Sequence, residues 1–456
     1  MTTDSCPRKL VLELLLGEGG PPSRRFPAAA DEAGLEGPDR ALARRLLSGV
    51  LRHGITLDQI GRAYAKRRVR DPALQWVLRL GLYQMFYLDS IPDHAAVHET
   101  LGAAQPFLRG ISGAANAILR SSRRGSSAGE SDSKAEGRFL EADGKKWKFD
   151  RRIFPDADEK PAEFHARTLG FPDWLTRKWF VDIGEAAAVD RMKALNKEPP
   201  LWIRVNPLRG DRTSLRRNFE AGGLEVQEGS HELSLVVKGN RGPIPQLPGF
   251  GEGAWSVQDI SALEAVSLGL PIAGERILDL CAAPGGKSFA SLEISGGEAE
   301  VVACDLNAGR LADLEKDANR LGHEVGTCIL EPDYSNMPGG PWDLVLLDVP
   351  CTNTGVLDRR LEARHRLHRK SVHEACTIQN LIRKKALPLV QGPRTRFLWS
   401  TCSLEPEENE EMTERLARKA GLEPVSEVRF EPDSLRGGGY ASLLAPPDQV
   451  RENGGE

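Results

Sequence analysis

Arg276-Ile277-Leu278-Asp279-Leu280-Cys281-Ala282-Ala283-Pro284-Gly285-Gly286-Lys287-Ser288 decides the fold. Arg276 to Leu280 is a short apolar run of strand length, a turn with two adjacent glycines follows, and Gly286 to Leu292 opens a helix. Strand, glycine turn and helix together present backbone N–H groups and a helix N-terminus to a ligand. Gly285 and Gly286 let that ligand approach the backbone closely. Downstream, Val301 to Ala303 reads as a second strand. Asp305 ends it, where α/β dinucleotide folds put a ribose-binding carboxylate. Arg310 to Leu321 and Val372 to Leu389 read as helices, and Leu344 to Leu347 and Phe397 to Ser400 as strands. Repeated strand–helix units predict a parallel, doubly wound, Rossmann-like α/β domain over 255–446. A phosphate-binding loop of the form G-x-x-x-x-G-K-[ST] is a rival: Gly286-Lys287-Ser288 fits its end, but Cys281 stands where its first glycine belongs. A tight turn with no ligand is the plain alternative.

Two cysteines carry the chemistry. Cys351 lies in Asp348-Val349-Pro350-Cys351, and Cys402 in Ser400-Thr401-Cys402-Ser403, followed by Glu405-Pro406-Glu407-Glu408-Asn409. Each follows an apolar run. Placed as parallel strands of one sheet, these runs bring both thiols to its carboxyl edge, where open α/β sheets bind ligands. A soft nucleophile beside a nucleotide-like cofactor points to methyl transfer onto a base that must first be activated covalently. Carbon-5 of cytosine or uracil is a poor nucleophile. A thiolate added at carbon-6 makes carbon-5 enamine-like and able to take a methyl group, after which a base removes the carbon-5 proton and the thiol is expelled. This chemistry needs a reactive cysteine, a methyl donor within reach and a polar residue on the ring's N3/N4 edge, for which Asp348 is the candidate. A thiolate also needs positive charge nearby, which Lys287 or neighbouring arginines would supply. Two buried, inert cysteines are the competing reading. A cysteine hydrolase would want a positioned histidine; His323, His365, His368 and His373 are candidates, and none ends a predicted strand.

The chain has 456 residues, too many for one ordinary core, and its 40% hydrophobic and 28% charged content is that of a soluble globular protein. No apolar run is long enough to span a bilayer, and Met1 to Lys9 lacks a signal peptide's apolar segment, so a cytoplasmic protein without membrane contact is expected. Seven cysteines, at 6, 281, 304, 328, 351, 376 and 402, form no CxxC pair, which argues against a disulfide framework or a metal site. Cys281, Cys304, Cys328 and Cys376 read as packing residues, and Cys6 lies near a frayed terminus. A net charge of -4 conceals two basic clusters. One contains Arg44, Arg45, Arg52, Lys66, Arg67, Arg68 and Arg70, and the other runs from Arg359 to Lys370. Either suits nucleic acid or is a solvated face. Residues 7 to about 120 have helical spacing, as in Leu42, Leu46, Leu47, Val50 and Leu51, and predict an all-α bundle over 1–120. Residues 121–138 are small and polar and read as a flexible linker. A small α+β domain over 139–254 follows, with strands at Leu201 to Val205 and Leu233 to Val237, and 447–456 reads as a tail.

Cys281-Ala282-Ala283-Pro284-Gly285-Gly286-Lys287, Asp348-x-Pro350-Cys351 and Thr401-Cys402-Ser403-x-Glu405-Pro406-Glu407-Glu408-Asn409 resemble the RNA (cytosine-5)-methyltransferases of the Sun/Nop2/NSUN group. Asp39-Arg40-Ala41-Leu42-Ala43, Leu80-Gly81-Leu82-Tyr83-Gln84, Pro92-Asp93-His94-Ala95-Ala96-Val97 and Asn116-Ala117-Ile118-Leu119-Arg120 resemble the NusB-like helical domain. Together they are similar to bacterial enzymes that methylate 16S ribosomal RNA, over most of the chain except 121–160. The resemblance implies a NusB-like bundle, a small α+β domain and a Rossmann-like methyltransferase domain, the first two contacting RNA. It implies S-adenosylmethionine as cofactor and RNA, expected to be 16S ribosomal RNA, as substrate; nothing in the sequence itself demands more than a monomer. Cys402 is implied as the attacking thiol, and Cys351 as the second cysteine that helps release methylated RNA. Cofactor contacts are implied for Cys281, Ala282, Ala283, Pro284, Gly285, Gly286, Lys287, Asp305, Asp333 and Asp348. Asp333, in Glu331-Pro332-Asp333-Tyr334, matches the acid after the family's third strand. The chain departs from the pattern at Arg359-Arg360-Leu361-Glu362-Ala363-Arg364-His365, where the family often has His-Pro-Asp, and in its final strand, Gly437 to Leu444. The same chemistry on transfer RNA, or a non-catalytic NusB-like RNA-binding or transcription-associated factor, are the alternatives.

Overall fold

The computed structural model describes residues 6–129, 136–239, 242–392 and 394–447. The expected tail, 447–456, lies outside the described residues after 447. The chain divides into two compact units, Met1–Asn196 with Arg360–Arg369, and Lys197–Arg359 with Lys370–Glu456.

The first unit starts with helices α1 (Pro7–Leu16), α2 (Pro22–Glu32), α3 (Gly37–Tyr64), α4 (Pro72–Tyr87), α5 (Asp93–Ala104) and α6 (Ser112–Arg124). Proline in the first turn of α1 to α4 sets the helical φ where no N–H is needed. Asp71 caps α4 by accepting from Leu74 N at 2.8 Å. The apolar stripe of α3 (Leu46, Leu47, Val50, Leu51, Leu57 and Ile60) is buried as its spacing predicts.

The expected linker over 121–138 is ordered on both sides of the undescribed 130–135. The α6 helix runs on to Arg124, and β1 (Ser126–Ala128), β2 (Phe139–Ala142) and β3 (Lys145–Phe149) form an antiparallel sheet in the order β1-β3-β2. Ser126, Ser127 and Ala128 have no large apolar side chain, so local sequence reads as linker. Their order comes from backbone pairing with a strand much further along the chain. Leu140, Trp147 and Phe149 bury in the helical core, and Trp147 Nε1 donates to Phe86 O at 3.1 Å. Residues 139–160 therefore belong to the helical unit instead of opening the middle domain. Helices α7 (Pro161–Leu169), α8 (Asp173–Ile183) and α9 (Glu185–Ala194) complete it.

Residues 360–369 also belong to this unit. Arg364 is 1% exposed; it donates to Arg52 O (3.1 Å), Leu195 O (2.6 Å) and Asn196 Oδ1 (2.6 Å), with its guanidinium 4.2 Å from the Phe171 ring centroid. His365 Nε2 bonds Leu51 O at 2.7 Å, and burial holds its pKa down to about 4. The second basic cluster is therefore not one free surface. Its first member, Arg359, pairs with Asp259 and Asp358 in the other unit.

The second unit opens with β4 (Leu201–Val205), α10 (Arg212–Ala221), β5 (Glu225–Glu228), β6 (Ser234–Lys238) and β7 (Trp255–Val257), an antiparallel sheet in the order β5-β6-β4-β7. Phe219 of α10 packs on Trp255. The α/β domain follows: α11 (Ile260–Leu268), β8 (Arg276–Asp279), α12 (Gly286–Ile294), β9 (Glu300–Asp305), α13 (Ala308–Leu321), β10 (Gly326–Ile329), β11 (Leu344–Asp348), the helix Ser371–Ala386, β12 (Arg396–Thr401), the helix Glu410–Ala420, β13 (Glu423–Phe430) and β14 (Gly439–Ala445). The strand order is β10-β9-β8-β11-β12-β14-β13. Strands β8 to β12 are parallel as expected, but β14 is antiparallel to both its neighbours. The connection from β13 to β14, residues 431–438, is too short for the crossover a parallel neighbour needs. The middle of the sheet is buried on both faces, so β11 reads as an unbroken apolar run.

Candidate active site

Register brings the chemistry to one edge. Asp348 pairs with Ser400 in parallel, and Leu346 pairs with Asp279. The segments after β8, β9, β11 and β12 therefore all leave the sheet at its carboxyl side. Asp279, the last residue of β8, is fully buried, accepts from Ser288 Oγ (2.7 Å) and Cys281 N (3.3 Å), and is pushed up to about 7 by burial. The glycine turn then folds back on β9. Ala282 N donates to Cys304 O (2.9 Å), and Ala283 N to Asp305 Oδ2 (3.2 Å). Gly285 has φ 104°, and a Cβ there would lie 2.6 Å from the Phe289 ring and 2.9 Å from Leu314 Cγ. This position needs glycine for both conformation and space. Arg310 donates to Ala283 O and lies 3.6 Å from Asp305.

A buried side chain from the smaller sheet supports the same turn. Arg204 of β4 donates to Gly286 O at 2.7 Å, to Gln258 and to Glu293 of α12, which also bonds His323 at 2.9 Å. Arg204, Glu293 and His323 are all buried, so the Arg204 and Glu293 charges are paired with each other inside the fold, while Nδ1 of His323 has no hydrogen-bond partner there.

The two thiols meet. Cys351 Sγ lies 3.3 Å from Cys402 Sγ, and both residues are partly exposed. Cys402 Sγ donates to Asn353 Oδ1 at 3.3 Å, while Asn353 Nδ2 holds Cys351 O at 2.8 Å. Asn353 has φ 61°, a left-handed turn that asparagine tolerates better than most residues. The hydrogen bond to Cys402, then burial and the nearby Cys402 and Glu408, push the Cys351 thiol well above its ordinary range. Lys287 Nζ lies 2.7 Å from Asp348 Oδ2, and Ser400 Oγ donates to Asp348 Oδ1 at 3.0 Å. Burial works against the Lys287 ammonium, but Asp348, Cys402 and Asp279 outweigh it and raise its pKa.

Two residues of Glu405-Pro406-Glu407-Glu408-Asn409 knit the cysteine loops together. Glu408, fully buried, accepts from Thr352 N (2.9 Å), Thr352 Oγ1, Ser403 Oγ (2.6 Å) and Gln379 Nε2 (3.0 Å). Gln379 Nε2 also reaches Pro350 O at 2.9 Å. Asn409 accepts from Thr401 Oγ1 (2.6 Å) and donates to Ser403 O (3.0 Å). One carboxylate and two carboxamides thus fix the residues on either side of both sulfurs.

Three family models match this chain: 16S rRNA methyltransferase RsmB/F over 267–452, the NusB family over 22–124, and the ferredoxin-like domain of RsmF/B-like methyltransferases over 171–240. The probable ribosomal RNA small subunit methyltransferase B of a Synechocystis species is 33% identical over 407 residues, 87% of this chain and 84% of that protein. The Bacillus subtilis protein of the same name is 30% identical over 388 residues, 83% of this chain and 80% of its own length. The chain belongs to the RsmB/F family of 16S rRNA methyltransferases. The solved structure of PH0851 is 20% identical with a TM-score of 0.80, covering 98% of this chain and 99% of that one. NSun6 from Pyrococcus horikoshii, solved with SFG, gives 0.56 at 19% identity over 60% of this chain and 98% of its own. Both share the fold.

Of the residues expected at an RsmB/F site, the structure brings Cys351, Cys402, Asp348 and Lys287 together, with Cys281 to Gly286 and Asp305 along the same edge. Asp333 follows the edge strand β10, is exposed, and accepts from its own neighbour Ser335 N at 3.0 Å. His323 and His365, weighed as partners for a cysteine hydrolase, are engaged elsewhere, with Glu293 and Leu51. Glu408, Asn409, Asn353 and Gln379 carry no sequence signal that singles them out. The first two lie inside the quoted motif, whose run of acids reads as a solvated patch until the fold turns one inward. Among the described residues no cluster of three or more His, Cys, Asp or Glu is placed to hold a metal, and no helix is long and apolar enough to cross a membrane.

Proposed function

We propose that this chain transfers a methyl group from S-adenosylmethionine to carbon-5 of a cytosine in 16S ribosomal RNA, through a transient bond between Cys402 Sγ and carbon-6. The observation that carries this reading is the 3.3 Å approach of the two thiols beside the Lys287–Asp348 pair. The turn suits an adenosyl cofactor: Gly285 lets it pack tightly against Phe289 and Leu314, where a Cβ would collide, so that the start of α12 faces the sheet edge, and Asp305 ends β9 where such folds use an acid for the ribose. Cys281 to Lys287, Asp305, Asp333 and Asp348 would hold it. When bound, S-adenosylmethionine supplies an electrophilic methyl group.

The chain's own residues do the rest. The Lys287 ammonium, kept charged by Asp348, lowers the cost of a thiolate at Cys402. That thiolate adds to carbon-6 and makes carbon-5 nucleophilic. Asp348 accepts from the base's N4 edge. Cys351 keeps its proton while Cys402 is a free sulfur beside it. Once Cys402 becomes a neutral thioether, its share of the upward push on Cys351 is gone, though burial and Glu408 remain; Cys351 can then give its proton to solvent and take the one on carbon-5. The C5–H electron pair restores the C5=C6 bond, and the C6–S pair returns to Cys402. The base must leave its stack to reach these thiols.

The test is methylation mapping. Incubation with S-adenosylmethionine and unmodified 16S ribosomal RNA should give 5-methylcytosine at a defined position, and Cys402→Ala should give none. Modification of transfer RNA alone would move the substrate, and no product on either RNA from folded protein would overturn the proposal.

A further inference from the structure

We infer that one end of the helical unit is a phosphate-tracking RNA surface, built where three separate basic segments converge. Tyr64 ends α3, and its hydroxyl donates to Gly125 O (2.9 Å), just past α6, and to Asp150 Oδ1 (2.7 Å), just past β3. Asp150 N donates to Gly125 O at 2.8 Å. Arg151 donates to Ala63 O (3.2 Å), with its guanidinium 4.3 Å from the Tyr64 ring centroid. These bonds gather the ends of α3, α6 and β3 at one place.

Each end brings cations. The α3–α4 turn supplies Arg62, Lys66, Arg67, Arg68 and Arg70, all exposed. The last turns of α6 supply exposed Arg120 and Arg124. The outward face of β3 supplies exposed Lys146 and Lys148, the latter 5.7 Å from the Phe139 ring centroid on β2. Among the described residues, none of these has a carboxylate partner. The acids at hand have other partners or face single lysines: Glu141 is the cross-strand neighbour of Lys146, Asp150 is held by Tyr64 and Arg151, Asp71 caps α4, and Asp58 and Asp93 pair with Arg79 and Arg123. Such charge density is notable in a chain of net charge -4.

Favourable contact with helix C-termini explains Arg62, Arg120 and Arg124, but not residues beyond the helices or on the sheet. No exposed large hydrophobic side chain lies in these three segments. That argues against a membrane or a protein partner, both of which want an apolar centre. A polyanion that exchanges counterions for lysine and arginine fits. The strand segment falls between the spans matched by the NusB and ferredoxin-like models.

The inference rests on RNA being the substrate, and the test separates the two claims. Arg67→Glu with Arg68→Glu, and Lys146→Glu with Lys148→Glu, are compared with the unaltered chain for binding of transcribed 16S ribosomal RNA across a salt series. Each pair should weaken binding at least tenfold and flatten the log–log salt dependence by about 0.7 per lost contact to single-stranded phosphate. KM for RNA should rise with kcat and S-adenosylmethionine affinity unchanged. Unaltered affinity and salt slope in both folded variants would overturn the inference while leaving the methylation proposal standing. So would loss of binding only to vesicles of anionic lipid. RNA binding lost in the variants of a chain that methylates nothing would do the reverse.

Discussion

The glycine turn and the thiol loops sit on the same sheet edge but are held in different ways. Backbone geometry mainly shapes the turn: a positive φ at Gly285, and amides of Ala282 and Ala283 bonded to β9. The thiol loops are held by side chains, with Glu408 and Asn409 reaching back to both of them. The difference teaches where each half should fail. A methyl group added to the turn breaks cofactor binding, whereas the thiols are disarmed by changes several residues away that touch neither sulfur.

The largest effect is expected from Glu408→Ala. It strands the buried Thr352 N–H and leaves the Thr352 and Ser403 hydroxyls only each other and Thr354 to donate to, at a cost of about 3 kcal/mol. Methylation should fall more than a hundredfold while calorimetry shows cofactor affinity within a few-fold of the original. A loss of cofactor binding as large as the loss of rate would erase the distinction. Gly285→Ala is the mirror experiment. Strain at φ 104° and collision with Phe289 should weaken cofactor binding at least tenfold, yet leave the rate of Cys402 alkylation unchanged. Lys287→Met should slow Cys402 alkylation at neutral pH about tenfold and shift its pH profile upward, because a cation that interacts with the forming thiolate is gone. Unchanged alkylation would remove Lys287 from thiol activation.

A pH-dependent effect on stability concerns Asp279. Its pKa in the folded chain is raised to about 7, mainly by burial. Below the unfolded carboxylate range both states are protonated and nothing is lost. As pH rises towards 7 the unfolded chain sheds a proton that the folded chain keeps. This carboxyl therefore costs stability over that window, at up to about 1.4 kcal/mol per pH unit, and the loss levels off above it. Asp279→Asn should remove that slope in denaturant titrations between pH 4 and 7, and an identical slope in both proteins would refute it.

The same contrast explains what could be read in advance. The α/β strands, the glycine turn and the strand-terminal acids are local patterns of apolar periodicity and turn chemistry, and the sequence shows them directly. The thiol pair was placed on one edge because it follows two apolar runs. The antiparallel β14 hid behind a pattern of repeating units. Ser126 to Ala128 resembled linker because their order depends on β3. Arg364 resembled surface because its partners, Arg52, Leu195 and Asn196, are distant in sequence. Glu408 and Asn353 were unreadable for the same reason: a buried carboxylate or a thiol-facing carboxamide is defined by what folds around it.

The central claim is that Cys402 attacks and Cys351 releases. It is tested most directly by incubating Cys351→Ala with unmodified 16S ribosomal RNA and S-adenosylmethionine, then mapping any protein–RNA crosslink by peptide mass spectrometry. The account predicts a stable adduct on the peptide containing Cys402, absent when Cys402 is also replaced. Free, fully methylated RNA with no adduct, or a crosslink at any other residue, would contradict it.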